Sequence, residues 1–210
     1  MNHDSWKNRI AERNDITGHL VHLTKAAEID GEKYSAIEVL YKIIKDRELI
    51  GSTTKTGFIC GRTSAVCLQE APLYSLTQNI YYEQKVRAEN KGMKIRYVGM
   101  GLMVTKPFAY KQGGRPVVYD KTSDAKEYLP ESEWWRIVNL DLSNNENIID
   151  WTHEREWRVP NNLEFSLSNI SVILPNSKAY KKFIEMCEEN GDEKIIKNVK
   201  SIINLGDLFY

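Results

Sequence analysis

Apolar and polar positions along the chain follow two periods, and the switches between them mark its elements. Segment 18–24 (GHLVHLT) alternates, with Leu20, His22 and Thr24 on one side and His19, Val21 and Leu23 on the other. That predicts a strand with polar groups on its more mixed face. Ser35 then stands as an N-cap before Ile37, Leu40, Tyr41 and Ile44. Their spacing predicts a helix ending near Leu49, ahead of Gly51. An earlier polar helix is expected over about residues 4–15, with Trp6 and Ile10 inward. The Thr- and Gly-rich stretch 52–62 reads as an exposed loop and 65–68 as a short strand, and Pro72 opens a helix carrying Leu73, Leu76 and Ile80.

Segment 96–104 (RYVGMGLMV) alternates again. Val98, Met100, Leu102 and Val104 form an apolar face, while Gly99 and Gly101 leave the other face bare, as where a ligand or another backbone comes close. Gly113-Gly114 reads as a hairpin turn into a strand over 115–119. Further strands are expected at 137–142, 154–159 and 170–174, a helix at 177–189, and a weaker helical stretch at 193–202. No repeat, linker or βαβα rhythm divides the chain. The expected fold class is therefore α+β: a single domain over residues 1–210, its mostly antiparallel, split sheet flanked by helices.

Composition narrows the partners. The 210 residues carry 29 basic and 29 acidic side chains, and 41% of them are hydrophobic. A chain this long buries roughly 70% of its unfolded surface without a covalent staple. Zero net charge disfavours tight coating of nucleic acid, which needs a basic excess, but allows transient contact. Cys60, Cys67 and Cys187 are odd in number and form no C-x-x-C pair, and the four histidines are scattered, so neither a disulfide framework nor a metal is expected. No apolar run approaches the roughly 18 residues of a membrane span, and the N-terminus lacks an apolar core. A soluble, cytoplasmic protein with no membrane partner is the expectation.

The usual signatures of P-loop NTPases, Rossmann dehydrogenases, α/β-hydrolases, zincins and EF-hands are all missing from the sequence. The most unusual segment is 151–159 (WTHEREWRV). As a strand it puts Glu154, Glu156 and Arg158 on one face, with the two carboxylates about 7 Å apart, and Arg155, Trp157 and Val159 on the other. Two readings stand: a solvated face laced with ion pairs, or a carboxylate pair aimed at a cationic transition state. His22 likewise reads as a hydrogen-bonded core histidine or as a functional one, and Thr24 as an ordinary strand residue. Arg62 taken alone is a surface charge, and Tyr74, Tyr81 and Tyr82 are core or rim aromatics.

Their order along the chain changes the weights. His-x-Thr (His22, Thr24) on an early strand is followed by an amphipathic helix, Arg62 leads into a short strand, and E-x-E (Glu154, Glu156) falls on a late one. This resembles the ADP-ribosyltransferase fold, in particular its DarT-like branch of bacterial toxins. Segments 66–73 (VCLQEAPL), 113–119 (GGRPVVY) and 154–159 (EREWRV) also look like abortive-infection proteins of the AbiGi type. The resemblance covers about residues 19–175 and departs after Arg62, where SAVCLQ replaces an aromatic-rich strand. It implies an NAD-dependent mono-ADP-ribosyltransferase, a toxin or phage-defence effector with a nucleic-acid acceptor, or in the alternative a protein acceptor, and a cognate antitoxin protein as partner. It also implies roles: Glu156 as catalytic carboxylate with Glu154 as second member of the pair, and Arg62 on a phosphate or the acceptor. His22, Thr24 and Tyr74 would contact NAD. Two rivals remain: a non-catalytic interaction partner of the same fold, and a nuclease using His153, Glu154 and Glu156 around a divalent ion.

Overall fold

The computed structural model describes residues 1–90 and 98–208. Seven strands form its main sheet: β1 (His19–Leu23), β2 (Ala65–Gln69), β3 (Gly101–Thr105), β4 (Arg115–Pro116), β5 (Glu156–Pro160), β6 (Ser171–Leu174) and β7 (Ser201–Asn204). Among the described residues seven α-helices surround or precede it: α1 (His3–Ala11), α2 (Ala36–Asp46), α3 (Leu73–Glu89), α4 (Lys106–Lys111), α5 (Thr122–Tyr128), α6 (Ser177–Glu189) and α7 (Glu193–Asn198). The strand order is β7-β6-β3-β1-β2-β5-β4. Every neighbouring pair is antiparallel except β6–β7, which is parallel and connected through α6 and α7. The protein is thus a mixed α/β domain built on a mostly antiparallel sheet, as the alternation of polar and apolar positions predicts.

Both faces of the sheet are covered. On one, Leu20, Val66, Leu68, Leu102, Val104, Val159 and Val172 meet Leu40 and Ile44 of α2 and Phe183 and Met186 of α6. On the other, Val21, Met103 and Ile173 meet Leu76 and Ile80 of α3 together with Leu205, and Ala65 packs with Ile59 and Trp135. Helix α2 forms along its apolar stripe, and Glu38 starts it by reaching back to the Ser35 N–H at 2.7 Å. Among the described residues no helix is long and apolar enough to cross a membrane.

The pairing is uneven, and that unevenness makes the site. β1 pairs with β3 at five positions, and β2 pairs with β5 at five, but β1 and β2 share a single one, Val21 opposite Gln69. The main sheet is continuous rather than split in two, and β1 and β2 part beyond that pair to leave a seam within it.

Several elements differ from the sequence reading. Gly113-Gly114 is no hairpin turn: it ends α4, with Gly113 at φ +86° and its N–H donating to the Tyr110 carbonyl, while the Gly114 N–H donates to that of Ala109. These are the two bonds of a Schellman cap, which needs the left-handed conformation that glycine adopts cheaply. The helix expected to reach Leu49 stops at Asp46, because Arg47 turns to φ +63° and Glu48–Leu49 pairs with Leu163–Glu164. Residues 201–204 form the edge strand β7 rather than the end of a helix, so the sheet runs past residue 175. The strand expected from residue 154 begins at Glu156, with Thr152–Glu154 a single 3-10 turn before it. Of the glycine strand, Arg96 and Tyr97 lie outside the described residues.

Candidate functional site

The parting of β1 and β2 opens a cavity of about 170 Å³, whose lining includes His22, Cys67, Gln69, Glu154 and Glu156. Strand pleating alone would not bring these together. Gln69 stands opposite Val21 on one side and Glu156 on the other, so the three share one face and His22, one residue along from Val21, belongs to the other. The seam is what lets His22 reach the same space as Glu156.

His22 replaces a missing rung of the ladder with its ring. Its Nδ1 lies 2.9 Å from the Cys67 carbonyl, across the gap. A carbonyl only accepts, so Nδ1 carries the proton, and a neutral ring then offers Nε2 as an acceptor. Burial pushes the His22 pKa below its ordinary value, against the opposing pull of the Cys67 carbonyl, and so favours that neutral form. The thiol of Cys67 is raised to about 12, first by burial and then by the neighbouring Glu156 carboxylate, and is no nucleophile at neutral pH.

Glu156 is only 9% exposed, and its Oε1 accepts from Nε of Arg158 at 2.8 Å. Arg158, 2% exposed, also donates to Glu156 Oε2 at 3.5 Å and to three backbone carbonyls: Trp135 at 2.7 Å, Ile137 at 3.0 Å and Phe58 at 3.3 Å. Burial pulls the guanidinium pKa down, but Glu156 and Cys67 together more than offset it and the net shift is upward. Behind the strand, the Glu156 N–H donates to Oη of Tyr119 at 2.7 Å, and burial raises that phenol to about 12. The carboxylate is therefore fixed from both its side chain and its backbone. Glu154 reaches the same cavity from the preceding turn. Arg155 between them adopts φ +43°, an uncommon conformation for a residue with a Cβ, and both carboxylates line one space.

Three residues singled out from the sequence lie elsewhere. Thr24 is 3% exposed, and its hydroxyl faces the carbonyls of Ala36 at 3.2 Å and Met100 at 3.3 Å, holding β1 to its neighbours. Arg62 has a 94% exposed side chain paired with Glu131 at 3.6 Å. Tyr74 is 60% exposed on the first turn of α3. None of the three lines the seam cavity. Gln69 does line it, and the sequence reading passed it over; its signal was a polar residue closing an otherwise apolar strand, AVCLQ. A larger, open groove of about 470 Å³ lies at the C-terminal end of α2, but it mixes Arg47 with Asp46, Glu48 and Glu164, and no sequence candidate faces it.

His153 sits on the exposed turn with its ring 6.0 Å from that of Trp151, and no cluster of three or more histidine, cysteine or carboxylate side chains suited to a metal occurs among the described residues. No family model, curated protein or solved structure matches the chain.

Proposed function

We propose that this protein is an NAD-dependent mono-ADP-ribosyltransferase whose reacting centre is the seam cavity. The observation that carries the reading is the convergence of His22, from the first strand of the sheet, with Glu154 and Glu156, from near its end, on one cavity. The resemblance of the sequence to the DarT-like branch supports the same reading. Breaking the nicotinamide–ribose bond leaves the bonding electrons on nicotinamide and positive charge on the ribose, as in glycoside cleavage. A fixed carboxylate beside that charge stabilises it, which is the role of Glu156; Glu154 takes the proton released by the attacking acceptor. His22 holds a ribose hydroxyl or the ring substituent through Nε2. Thr24 acts by fixing β1, and Arg62 and Tyr74 meet only those parts of the substrates that extend beyond the cavity. A nucleic-acid acceptor, a toxin or phage-defence role and a cognate antitoxin rest on the resemblance alone.

The test is incubation of the purified chain with NAD, scoring nicotinamide release and the labelling of DNA, RNA or protein. Turnover should fall about 10²–10³-fold in Glu156→Gln while NAD binding changes far less. No release by the parent, or full release by the variant, overturns the assignment.

One observation favours a second reading, a non-catalytic interaction module. Arg158 already neutralises Glu156 and ties it to the loop holding Phe58 and to the 131–137 segment, as a structural clamp would. Under that reading the variant loses stability, and there is no turnover to lose.

A further inference from the structure

We infer that Gln69 is the specificity residue of the seam cavity, and that it selects a planar ring bearing a neutral carboxamide. The inference rests on the cavity being the substrate site proposed above. Gln69 is 9% exposed, and its Nε2 is buried without a hydrogen-bond partner. Buried amides are almost always paired, and Gln69 also lines the cavity, so a turn of its amide towards that space lets a ligand supply the missing partner. Its place is central: Gln69 is the residue opposite both Val21 and Glu156, at the point where the seam opens.

The remaining lining sets the complement. Glu154 and Glu156 bring acceptors and negative charge, and the Nε2 of a neutral His22 brings another acceptor. The Gln69 amide supplies the neutral donor, and a half-turn about its last bond exchanges the places of its NH2 and its oxygen. A ligand group that both accepts from Gln69 and donates to a carboxylate fits this set, and a primary carboxamide does both. A ring carboxylate does not: it would face two carboxylates, while Arg158, the nearby cation, is already committed to Glu156 and to three carbonyls. Size limits the ligand further. At about 170 Å³ the cavity is well below the roughly 300–1,000 Å³ of pockets for drug-sized molecules, and it holds one ring with its substituent.

The experiment uses the full chain and two probes that differ at one group, nicotinamide and nicotinate, with binding measured by calorimetry. The parent should bind nicotinamide and discriminate against nicotinate. Gln69→Met, close in volume and without the amide, should weaken nicotinamide at least about tenfold, the scale of one hydrogen bond that forms only with ligand. Its melting temperature should hold or rise, since the substitution removes an unsatisfied polar group, and a purely structural glutamine would not give that pairing of effects. Gln69→Glu, which turns the donor into an acceptor, serves as the second variant and should lose nicotinamide as well. Equal binding of nicotinamide by parent and both variants, equal binding of the two probes, or no binding by the parent overturns the inference. NAD turnover is scored separately. Release of nicotinamide from NAD with binding indifferent to Gln69 keeps the transferase and removes the role of Gln69. Gln69-dependent nicotinamide binding without turnover keeps the carboxamide site and removes the transferase.

Discussion

Glu156 and Arg158 stand two residues apart on one strand face, so a change at either is felt by the other. In Glu156→Gln the amide cannot neutralise a guanidinium that is 2% exposed. Removing one partner of a buried ion pair typically costs about 3–5 kcal/mol, and we expect the low end because the amide oxygen still accepts a hydrogen bond. Urea unfolding of Glu156→Gln reads this directly, and an unchanged midpoint would show that the pair contributes no stability. Activity comparisons therefore belong at a temperature where the variant is still folded. His22 makes a separate prediction through pH. Its folded pKa lies below its unfolded value of about 6.5, so the unfolded chain binds more protons once the pH falls past that value. Stability is then lost on going from pH 7 towards pH 5. His19, also lowered by burial, adds to the slope. Replacing His22 with Gln keeps a donor near the Cys67 carbonyl and removes the titration, so it should flatten part of the slope in melting temperature; a variant whose slope equals the parent's would show that His22 does not titrate differently on folding.

Among the elements, β3 is held closest to its neighbour. A Cβ built on Gly101 would lie 2.0 Å from the His22 carbonyl oxygen, which is backbone and has no rotamer to change. Gly101→Ala must therefore push β1 and β3 apart, at a cost of about 1–3 kcal/mol or more, and should also displace His22 from the seam. A lowered unfolding midpoint together with weakened nicotinamide binding is the expected pair of results; an unchanged midpoint would mean that the strands separate freely. This close approach was readable from the glycines of a strand interior, as was the helix Ser177–Glu189 from its spacing. Other elements were not readable. Glu48–Leu49 is too short to show a period. In β7, Ile202 and Ile203 are both half-buried, so no alternation distinguishes this parallel edge strand from the helix before it. At the site, polar residues in strands pointed to His22 and Glu156, and an isolated polar end to an apolar strand hid Gln69. The seam belongs to the pairing of β1 with β2, and neither strand's sequence records it.

Across the whole molecule the seam raises a question of cooperativity. Hydrogen bonds between β1 and β2 are few, and they divide the sheet into a β7-β6-β3-β1 half and a β2-β5-β4 half. The apolar core does not respect that line. Leu20 and Val104 from one half pack in the same cluster as Val66, Leu68 and Val159 from the other, under Leu40 and Ile44 of α2. A cavity can open in the sheet because this face is sealed by side chains rather than by backbone bonds. Burial of this kind scales with area, at about 25 cal/mol per Å² of apolar surface, whereas a typical hydrogen bond adds a net of about 1 kcal/mol, so the shared core should outweigh the missing rungs. The two halves should accordingly unfold together. Tryptophan fluorescence is weighted towards one side, since Trp135 packs with Ala65 of β2 and Trp157 lies on β5, while far-UV circular dichroism is weighted towards the helices, among them α2 and α6. Followed in urea, the two signals should give one coincident transition, and addition of nicotinamide should move both midpoints upward by the same amount. Separated transitions, with fluorescence lost before the helical signal, would mean that the seam is a boundary between two independently folding halves and that α2 does not bridge them.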